Sequence, residues 1–159
     1  MTDFDRLLAT LSAHEVRFII VGGLAATIHG SARLTQDVDI VYERSPENIE
    51  RLVRALHDQR PYLRGAPAGL PFDWSGATIR RGLNFTLTTR LGDIDLFGEI
   101  AGGGDYGALF PHSVEVELFG RSQRCLDLPS LIRTKRAAGR PRDLEVIAEL
   151  ESLDEERSK

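Results

Sequence analysis

The sequence is poor in cysteine and has no long apolar run. Its 159 residues include a single cysteine, Cys125, which excludes a disulfide framework and a cysteine-based zinc site. The longest apolar runs are far shorter than the ~20 residues that a membrane helix needs. The opening segment "MTDFDRLLATL" is acidic and amphipathic, unlike a signal peptide. We therefore expect a soluble, cytoplasmic protein that has no membrane partner.

Charge of one sign is also scarce, since the formal net charge is only −4. An overall basic field of the kind that attracts nucleic acid is therefore excluded. The hydrophobic fraction of 42% is enough for a packed core. The length predicts a single domain over residues 1–159, with an α/β core over 1–126 and a C-terminal helical segment over 127–153. The last residues, "DEERSK", are predicted to be a solvated end.

Hydrophobic periodicity predicts an α+β chain with a small mixed sheet flanked by helices. The predicted order is helix, strand, helix, strand, helix, several strands and two C-terminal helices. "LNFTLTT" and "DIDLFGE" both alternate, which predicts a hairpin. Residues 61–76 are predicted to form a packed loop, in which Phe72 and Trp74 are either anchors or base-stacking groups. "AGGGDYG", residues 101–107, is predicted to be a flexible loop.

Two aspartates interrupt an otherwise apolar strand in "VGGLAATIHGSARLTQDVDIVYE", residues 21–43. Residues two apart in a strand share a face, so Asp37 and Asp39 lie close together. Their mutual repulsion is costly in a buried setting, and a divalent cation with its preference for oxygen ligands would reverse that cost. An isolated Asp-x-Asp is also compatible with a solvent-exposed face.

Three further features favour a functional site, although each has a structural alternative. Gly22-Gly23 follows a strand and opens a helix, where backbone amides can approach an anion, or it is only a tight turn. Asp93 and Asp95 form a second same-face pair, or a second solvated face. Lys135 lies on the apolar stripe of its helix, where it must either snorkel or reach an anion.

A local basic block extends over residues 121–142, where Asp127 is the only acid among seven basic residues. Such a block is typical of a surface that binds a polyanion, such as a tRNA acceptor end or a triphosphate. A solvated helix face is the alternative.

Together these motifs resemble the nucleotidyltransferase superfamily typified by DNA polymerase β, in its minimal bacterial branch. Within that branch the chain is similar to the nucleotidyltransferase toxins of type IV (abortive-infection) toxin–antitoxin systems and their relatives. The resemblance covers residues 15 to 150 and is carried by "VGGLAATIHGSARLTQDVDI", "GDIDLFGE" and "LIRTKRAAGRPRDLEVIAEL". It implies two Mg²⁺ ions, or Mn²⁺, held by acids on adjacent strands.

The resemblance also implies roles for individual residues. Asp37 and Asp39 would bind both metals, and Asp95 would be the third ligand and the candidate base for the attacking hydroxyl. Asp93 is the alternative to Asp95 for this third position. The residues implied on the nucleotide side are Gly22, Gly23, Lys135, Arg140 and Asp143.

One position departs from the family pattern. Many members have Gly-Ser at the glycine turn, whereas Gly23 is followed here by Leu24. Ser31 or Arg33 is predicted to take over the phosphate contact of that serine.

The implied function is Mg²⁺-dependent transfer of a nucleoside monophosphate from an NTP, such as ATP, to a hydroxyl group. RNA (including tRNA), a protein or a small molecule could be the acceptor, and the enzyme could be of the toxin type with an antitoxin partner. The alternative is a non-catalytic module that retains the fold and binds a nucleotide or a partner protein.

Overall fold

The computed structural model describes all residues from 1 to 159. Its helices are Phe4–Ala13 (α1), Gly22–Ile28 (α2), Pro46–Leu56 (α3), Gly76–Arg81 (α4), Tyr106–Leu109 (α5), Leu128–Ala138 (α6) and Asp143–Arg157 (α7). Its strands are Phe18–Ile20 (β1), Asp37–Tyr42 (β2), Tyr62–Leu63 (β3), Phe85–Thr89 (β4), Gly92–Phe97 (β5), Glu99–Ile100 (β6), Gly104–Asp105 (β7), Ser113–Leu118 (β8) and Arg121–Leu126 (β9).

Seven strands form one mixed sheet in the order β3-β4-β5-β2-β1-β9-β8, and β6 and β7 form a separate pair. Strand β2 is parallel to β5, and β1 is parallel to β9. The other neighbours are antiparallel, including the predicted β4–β5 hairpin. The expected α+β class with a mixed sheet flanked by helices is therefore confirmed.

Side-chain caps fix where two of the longer helices, α3 and α6, begin. Ser45 accepts a hydrogen bond from the Asn48 amide at the start of α3, and Pro46 occupies the first turn, where its missing amide hydrogen costs nothing. Asp127 caps α6 in the same way, by accepting from the Ser130 amide. This cap starts α6 at Leu128, within the C-terminal segment that is predicted to be helical.

One cluster of 31 buried apolar residues forms the core. It fills the space between the sheet and the helices, and it includes Leu128, Leu131 and Leu150 from the C-terminal helices. The central strands β1 and β2 are deeply buried, except at the positions of Asp37 and Asp39, which are half-buried. No helix is long and apolar enough to cross a membrane.

Two loop predictions differ from the structure. The "AGGGDYG" segment is not a flexible loop but contains β7 and the start of α5. It is held because Gly102 approaches α6 so closely that an added Cβ would lie 2.5 Å from the Ala137 Cβ. The packed loop over residues 61–76 contains the short strand β3, and the Trp74 indole anchors it by donating to the Val53 carbonyl at 3.0 Å.

The C-terminal end also differs, since α7 continues to Arg157 instead of stopping near Leu153. The Arg157 guanidinium donates to the His29 carbonyl oxygen at 3.0 Å and lies 3.0 Å from the His29 ring Nδ1. These contacts hold the last turn of α7 against the end of α2. The segment predicted to be a solvated end is therefore mostly helical.

Candidate active site

The register of two parallel strands brings the candidate acids together. Asp37 lies opposite Asp93 and Asp39 lies opposite Asp95 across β2 and β5. Carboxylate oxygens of Asp37, Asp39 and Asp95 all lie within 4.8 Å of one another, a group that does not include Asp93. The structure thus brings three of the four acids into the spacing of a metal site. They are called the acid triad below.

The glycine turn packs directly against this triad. Gly22 has φ +64°, a left-handed conformation that favours glycine. A Cβ at this position would lie only 2.1 Å from Asp39 Oδ2. Against the raising effects of burial and of the neighbouring acids, the Gly23 backbone lowers the pKa of Asp39. Gly22 is therefore required by the close approach of the backbone to Asp39, whereas a Cβ on Gly23 would lie 2.8 Å from Thr35 Oγ1.

The electrostatics of the triad are those of crowded, poorly solvated acids. Burial, together with the nearby charges of Asp37 and Asp95, raises the pKa of Asp39 to about 8. Burial also raises the pKa of Asp95, against the lowering effect of the Arg64 guanidinium. Asp39 Oδ1 is buried and has no hydrogen-bond partner. Three carboxylates with an unpartnered oxygen between them fit a hard divalent cation such as Mg²⁺ or Mn²⁺.

Arg64 is a site residue that sequence reasoning missed. Its guanidinium lies within salt-bridge distance of Asp37, Asp93 and Asp95, at 3.6, 3.4 and 2.8 Å. It belongs to a loop of irregular pattern, directly after β3, so no periodicity marks it. Only the pairing of β3 with β4 could have indicated its position, and β3 is two residues long.

The C-terminal helices supply a basic counterpart to the triad. Asp143 is buried, accepts from Arg140 Nε at 2.9 Å and lies 3.9 Å from Lys135 Nζ. Burial alone would raise the pKa of Asp143, but the hydrogen bond and charge of Arg140 and the charge of Lys135 lower it. These three residues form one interlocked unit, called the basic cluster below.

An open cleft of about 710 Å³ lies between the acid triad and the basic cluster. Every candidate residue from the sequence except Ser31 and Asp93 lines it. The cleft also takes in Arg142 at the basic end and Asn84, Phe97 and Glu99 beyond the acids.

Most of the remaining basic block faces other parts of the protein. Arg121 pairs with Asp5, Arg124 with Glu115, and Arg136 with Glu151. These side chains stabilise local packing instead of forming one continuous basic surface.

Ser31 and Arg33 contact α7. The Ser31 hydroxyl donates to Glu149 at 2.6 Å, and Arg33 Nη2 lies 2.9 Å from a Glu145 oxygen. The hydroxyl of Ser31 is thereby engaged by the protein itself, whereas Arg33 reaches the cleft wall.

Comparison with known proteins gives structural relatives only. No protein-family profile and no curated protein matches the chain. The lincosamide antibiotic adenylyltransferase LnuA in its lincomycin-bound form is similar, with a TM-score of 0.60 and 16% identity over 96% of this chain and 98% of that one. A candidate nucleotidyltransferase from Thermotoga maritima gives 0.59 and 16% over 94% of both chains.

A third similar structure is ANT(2″)-Ia in complex with adenylyl-2″-tobramycin, with a TM-score of 0.55 and 14% identity over 94% of this chain and 91% of that one. The narrower likeness to toxin-type enzymes stays a prediction from the sequence. The similarity of fold extends over nearly the whole length of each chain. The chain has the nucleotidyltransferase fold.

Proposed function

We propose that this chain is a nucleotidyltransferase that moves a nucleoside monophosphate from an NTP to a hydroxyl group. The observation that carries the proposal is the placement of the acid triad and the basic cluster on opposite sides of one cleft. This arrangement suits a reaction in which a polyphosphate must be bound at one end and activated at the other. The nucleotidyltransferase fold supports the same reaction class.

Asp37, Asp39 and Asp95 would hold the divalent ions. Mg²⁺ is the expected ion and Mn²⁺ the alternative, since both take carboxylate oxygens. When bound, such ions neutralise the triphosphate charge and lower the pKa of the attacking hydroxyl. The unpartnered Oδ1 of Asp39 supports this assignment, because a buried anionic oxygen without a hydrogen bond is costly unless a ligand satisfies it.

The chain's own residues would bind and orient the substrates. Lys135 and Arg140, held by Asp143, would contact the triphosphate, with Arg33 on the adjacent wall. Gly22 and Gly23 let the backbone approach both Asp39 and the nucleotide. Asp95 would accept the proton of the attacking hydroxyl, and burial, which raises its pKa, makes it a stronger base than an ordinary aspartate.

A small molecule with a free hydroxyl is the acceptor that the comparisons favour. Two of the similar structures contain lincomycin or adenylyl-2″-tobramycin. LnuA is an adenylyltransferase, and the molecule bound to ANT(2″)-Ia is adenylylated. ATP is therefore the first donor to test. In this chain Asn84, Phe97 and Glu99 line the cleft beyond the acids, where an acceptor would lie. RNA, tRNA or protein acceptors and an antitoxin partner stay predictions from the sequence.

The test is transfer of label from α-labelled NTPs, in Mg²⁺, to a panel of polyhydroxylated small molecules and to tRNA. Wild type should label at least one acceptor, and Asp39→Asn should lower the rate by roughly a thousandfold or more. Asp58→Asn, which changes an exposed aspartate outside the cleft, should leave the rate unchanged.

A parallel thermal melt with each NTP separates the proposal from its alternative. An NTP present at about 100 times its Kd should stabilise the folded protein by roughly 2.7 kcal/mol. A Mg²⁺-dependent shift without transfer to any acceptor would identify a non-catalytic nucleotide-binding module. The absence of both a shift and transfer would contradict the proposed site.

A further inference from the structure

The strand register places Arg64 on the same face as the acid triad. The Arg64 amide donates to the Thr86 carbonyl at 3.0 Å, which continues the β3–β4 pairing past the end of β3. Thr86 lies opposite Asp95, and Asp95 lies opposite Asp39. Arg64 is thus the outer member of a cross-strand row that ends at Asp39. The short threonine side chains of β4 leave its guanidinium free to reach over them towards β5.

The guanidinium contacts one oxygen of each of three acids. Nη1 lies 3.6 Å from Asp37 Oδ2, Nε lies 3.4 Å from Asp93 Oδ2, and Nη2 donates to Asp95 Oδ1 at 2.8 Å. Nη2 also donates to the Leu87 carbonyl at 2.7 Å, which fixes the guanidinium over β4. Asp39 receives no contact from Arg64, and its Oδ1 has no partner.

We propose that Arg64 is the resident counter-cation of these acids, and that a divalent ion has to compete with its guanidinium for Asp37 and Asp95. Asp93 is an ion-pair partner of the guanidinium, since its Oδ2 lies 3.4 Å from Nε without a hydrogen bond, and it is not a metal ligand. Arg64 is thus a positioning residue that sets the metal concentration at which the site fills. The competition rests on the proposed function, whereas the counter-cation role does not require it.

The positions of the charged groups in β2 and β5 call for a resident cation. Asp37 faces Asp93 and Asp39 faces Asp95 in neighbouring strands, so four carboxylates would repel one another without a cation. One arginine can serve several carboxylates because its guanidinium carries five donors. A carboxylate oxygen that accepts a charge-assisted hydrogen bond has to exchange that bond before it can coordinate an ion. Asp93 stands outside the group of ligand atoms that lie within 4.8 Å, which leaves the guanidinium as its partner.

The test compares Arg64→Gln with the control Arg90→Gln. Arg90 is an exposed arginine in the turn between β4 and β5. Melting temperature is measured in EDTA and in saturating Mn²⁺, and Mn²⁺ affinity by calorimetry. Arg64→Gln should melt below wild type in EDTA, and the gap should close in Mn²⁺. Mn²⁺ should bind Arg64→Gln about tenfold more tightly, since a positive charge beside a divalent ion is removed. Arg90→Gln should match wild type in each measurement.

Arg64→Lys keeps the charge but loses the planar fork, so it should fold and show an intermediate Mn²⁺ affinity. Two further variants test whether Asp93 is only an ion-pair partner of Arg64 or also a metal ligand. Asp93→Asn should still bind Mn²⁺, whereas Asp95→Asn should lose binding. Equal loss in both would overturn the assignment of Asp93.

Weaker Mn²⁺ binding by both Arg64 variants, or the same loss of melting temperature with and without Mn²⁺, would overturn the competition. The failure of this competition and the failure of the proposed function give different outcomes. Tighter Mn²⁺ binding by Arg64→Gln without NMP transfer by wild type would support the competition and reject the enzyme. NMP transfer by wild type, together with weaker Mn²⁺ binding by Arg64→Gln, would support the enzyme and reject the competition.

Discussion

The two ends of the cleft deal with buried charge in opposite ways. At the acid end, Asp39 leaves one oxygen without a partner, and its pKa rises to about 8. At the basic end, the buried Asp143 is paired with Arg140 and Lys135, and its pKa is lowered. The protein therefore leaves Asp39 without a compensating partner, whereas the basic cluster is internally compensated.

This difference has a consequence for stability. A group whose pKa rises on folding makes the folded state hold its proton more strongly, so its ionisation opposes folding as pH increases. A group whose pKa falls on folding stabilises the protein above its unfolded pKa and loses that contribution on acidification. The two ends of the cleft should therefore give pH effects of opposite sign.

The largest expected effect is the pH dependence caused by Asp39. Its ordinary pKa of 3.8 rises to about 8 in the folded protein, so in EDTA the free energy of unfolding should fall as pH rises between these values. The expected loss is about 1.4 kcal/mol per pH unit, or roughly 3 kcal/mol between pH 5 and pH 7. Urea unfolding at pH 5, 6 and 7 measures it.

Asp39→Asn isolates this contribution, because the amide cannot ionise. Its stability should exceed that of wild type by an amount that grows with pH, whereas Asp58→Asn should follow wild type. Saturating Mg²⁺ should remove much of the wild-type slope, since the ion favours the ionised carboxylate. Parallel pH profiles for wild type and Asp39→Asn would show that Asp39 carries no such strain.

The next largest effect is expected from Gly22→Ala. The added methyl group would lie 2.1 Å from Asp39 Oδ2 and would force a left-handed φ on alanine. We expect a loss of roughly 2–3 kcal/mol in the free energy of unfolding. Metal binding should also weaken, because Asp39 has to move.

Gly120→Ala is the matched control for that substitution. Gly120 has φ +77°, and nothing lies within 4 Å of an added Cβ. It should therefore show only the backbone cost of about 1–2 kcal/mol. An equal loss of stability in the two variants would mean that the Asp39 side chain moves away from the methyl group at no measurable cost in free energy.

The same comparison explains how much of the site the sequence predicts. Strand periodicity puts Asp37 and Asp39 on one face, and the second Asp-x-Asp does the same for Asp93 and Asp95. Periodicity cannot choose between Asp93 and Asp95, because they share a face. That distinction depends on the parallel register of β2 and β5, which is set by long-range pairing.

Local sequence signals account for most of the helices and for the β4–β5 hairpin. The start of α3, for example, is marked by a capping serine, Ser45, followed by Pro46. They fail where distant contacts decide. Arg64 reaches the acids only because β3 pairs with β4, and α7 continues to Arg157 because that side chain contacts His29. Ser31 has a hydroxyl near the glycine turn, but Glu149 from a helix more than a hundred residues away accepts its hydrogen bond.

The basic end should respond to Asp143→Asn with a loss of about 2 kcal/mol, since two cations lose a buried anionic partner. Unlike the Asp39 effect, this loss should be largest at neutral pH and should shrink as pH falls from the ordinary pKa of 3.8 through the lowered pKa of folded Asp143. NTP affinity should drop as well, because Lys135 and Arg140 lose their orientation. Chemical denaturation and NTP titration provide the measurements.

Asp154→Asn, on the same helix and without a side-chain contact, is its control and should behave like wild type. Unchanged stability of Asp143→Asn at neutral pH would show that Lys135 and Arg140 do not depend on that carboxylate. The basic end would then need an external anion as much as the acid end needs a cation.

The smallest expected effect is that of Ser31→Ala. Its hydroxyl donates to Glu149 at 2.6 Å, and this bond is the largest cause of the lowered pKa of Glu149. Removing it should cost about 1 kcal/mol of stability. NTP affinity should stay unchanged, because the hydroxyl is engaged by α7. Ser152→Ala, an exposed serine of α7, serves as the control. A loss of NTP affinity with unchanged stability would instead make Ser31 the substitute for the serine that the glycine turn lacks, and the phosphate contact would then come from the α2 side of the cleft.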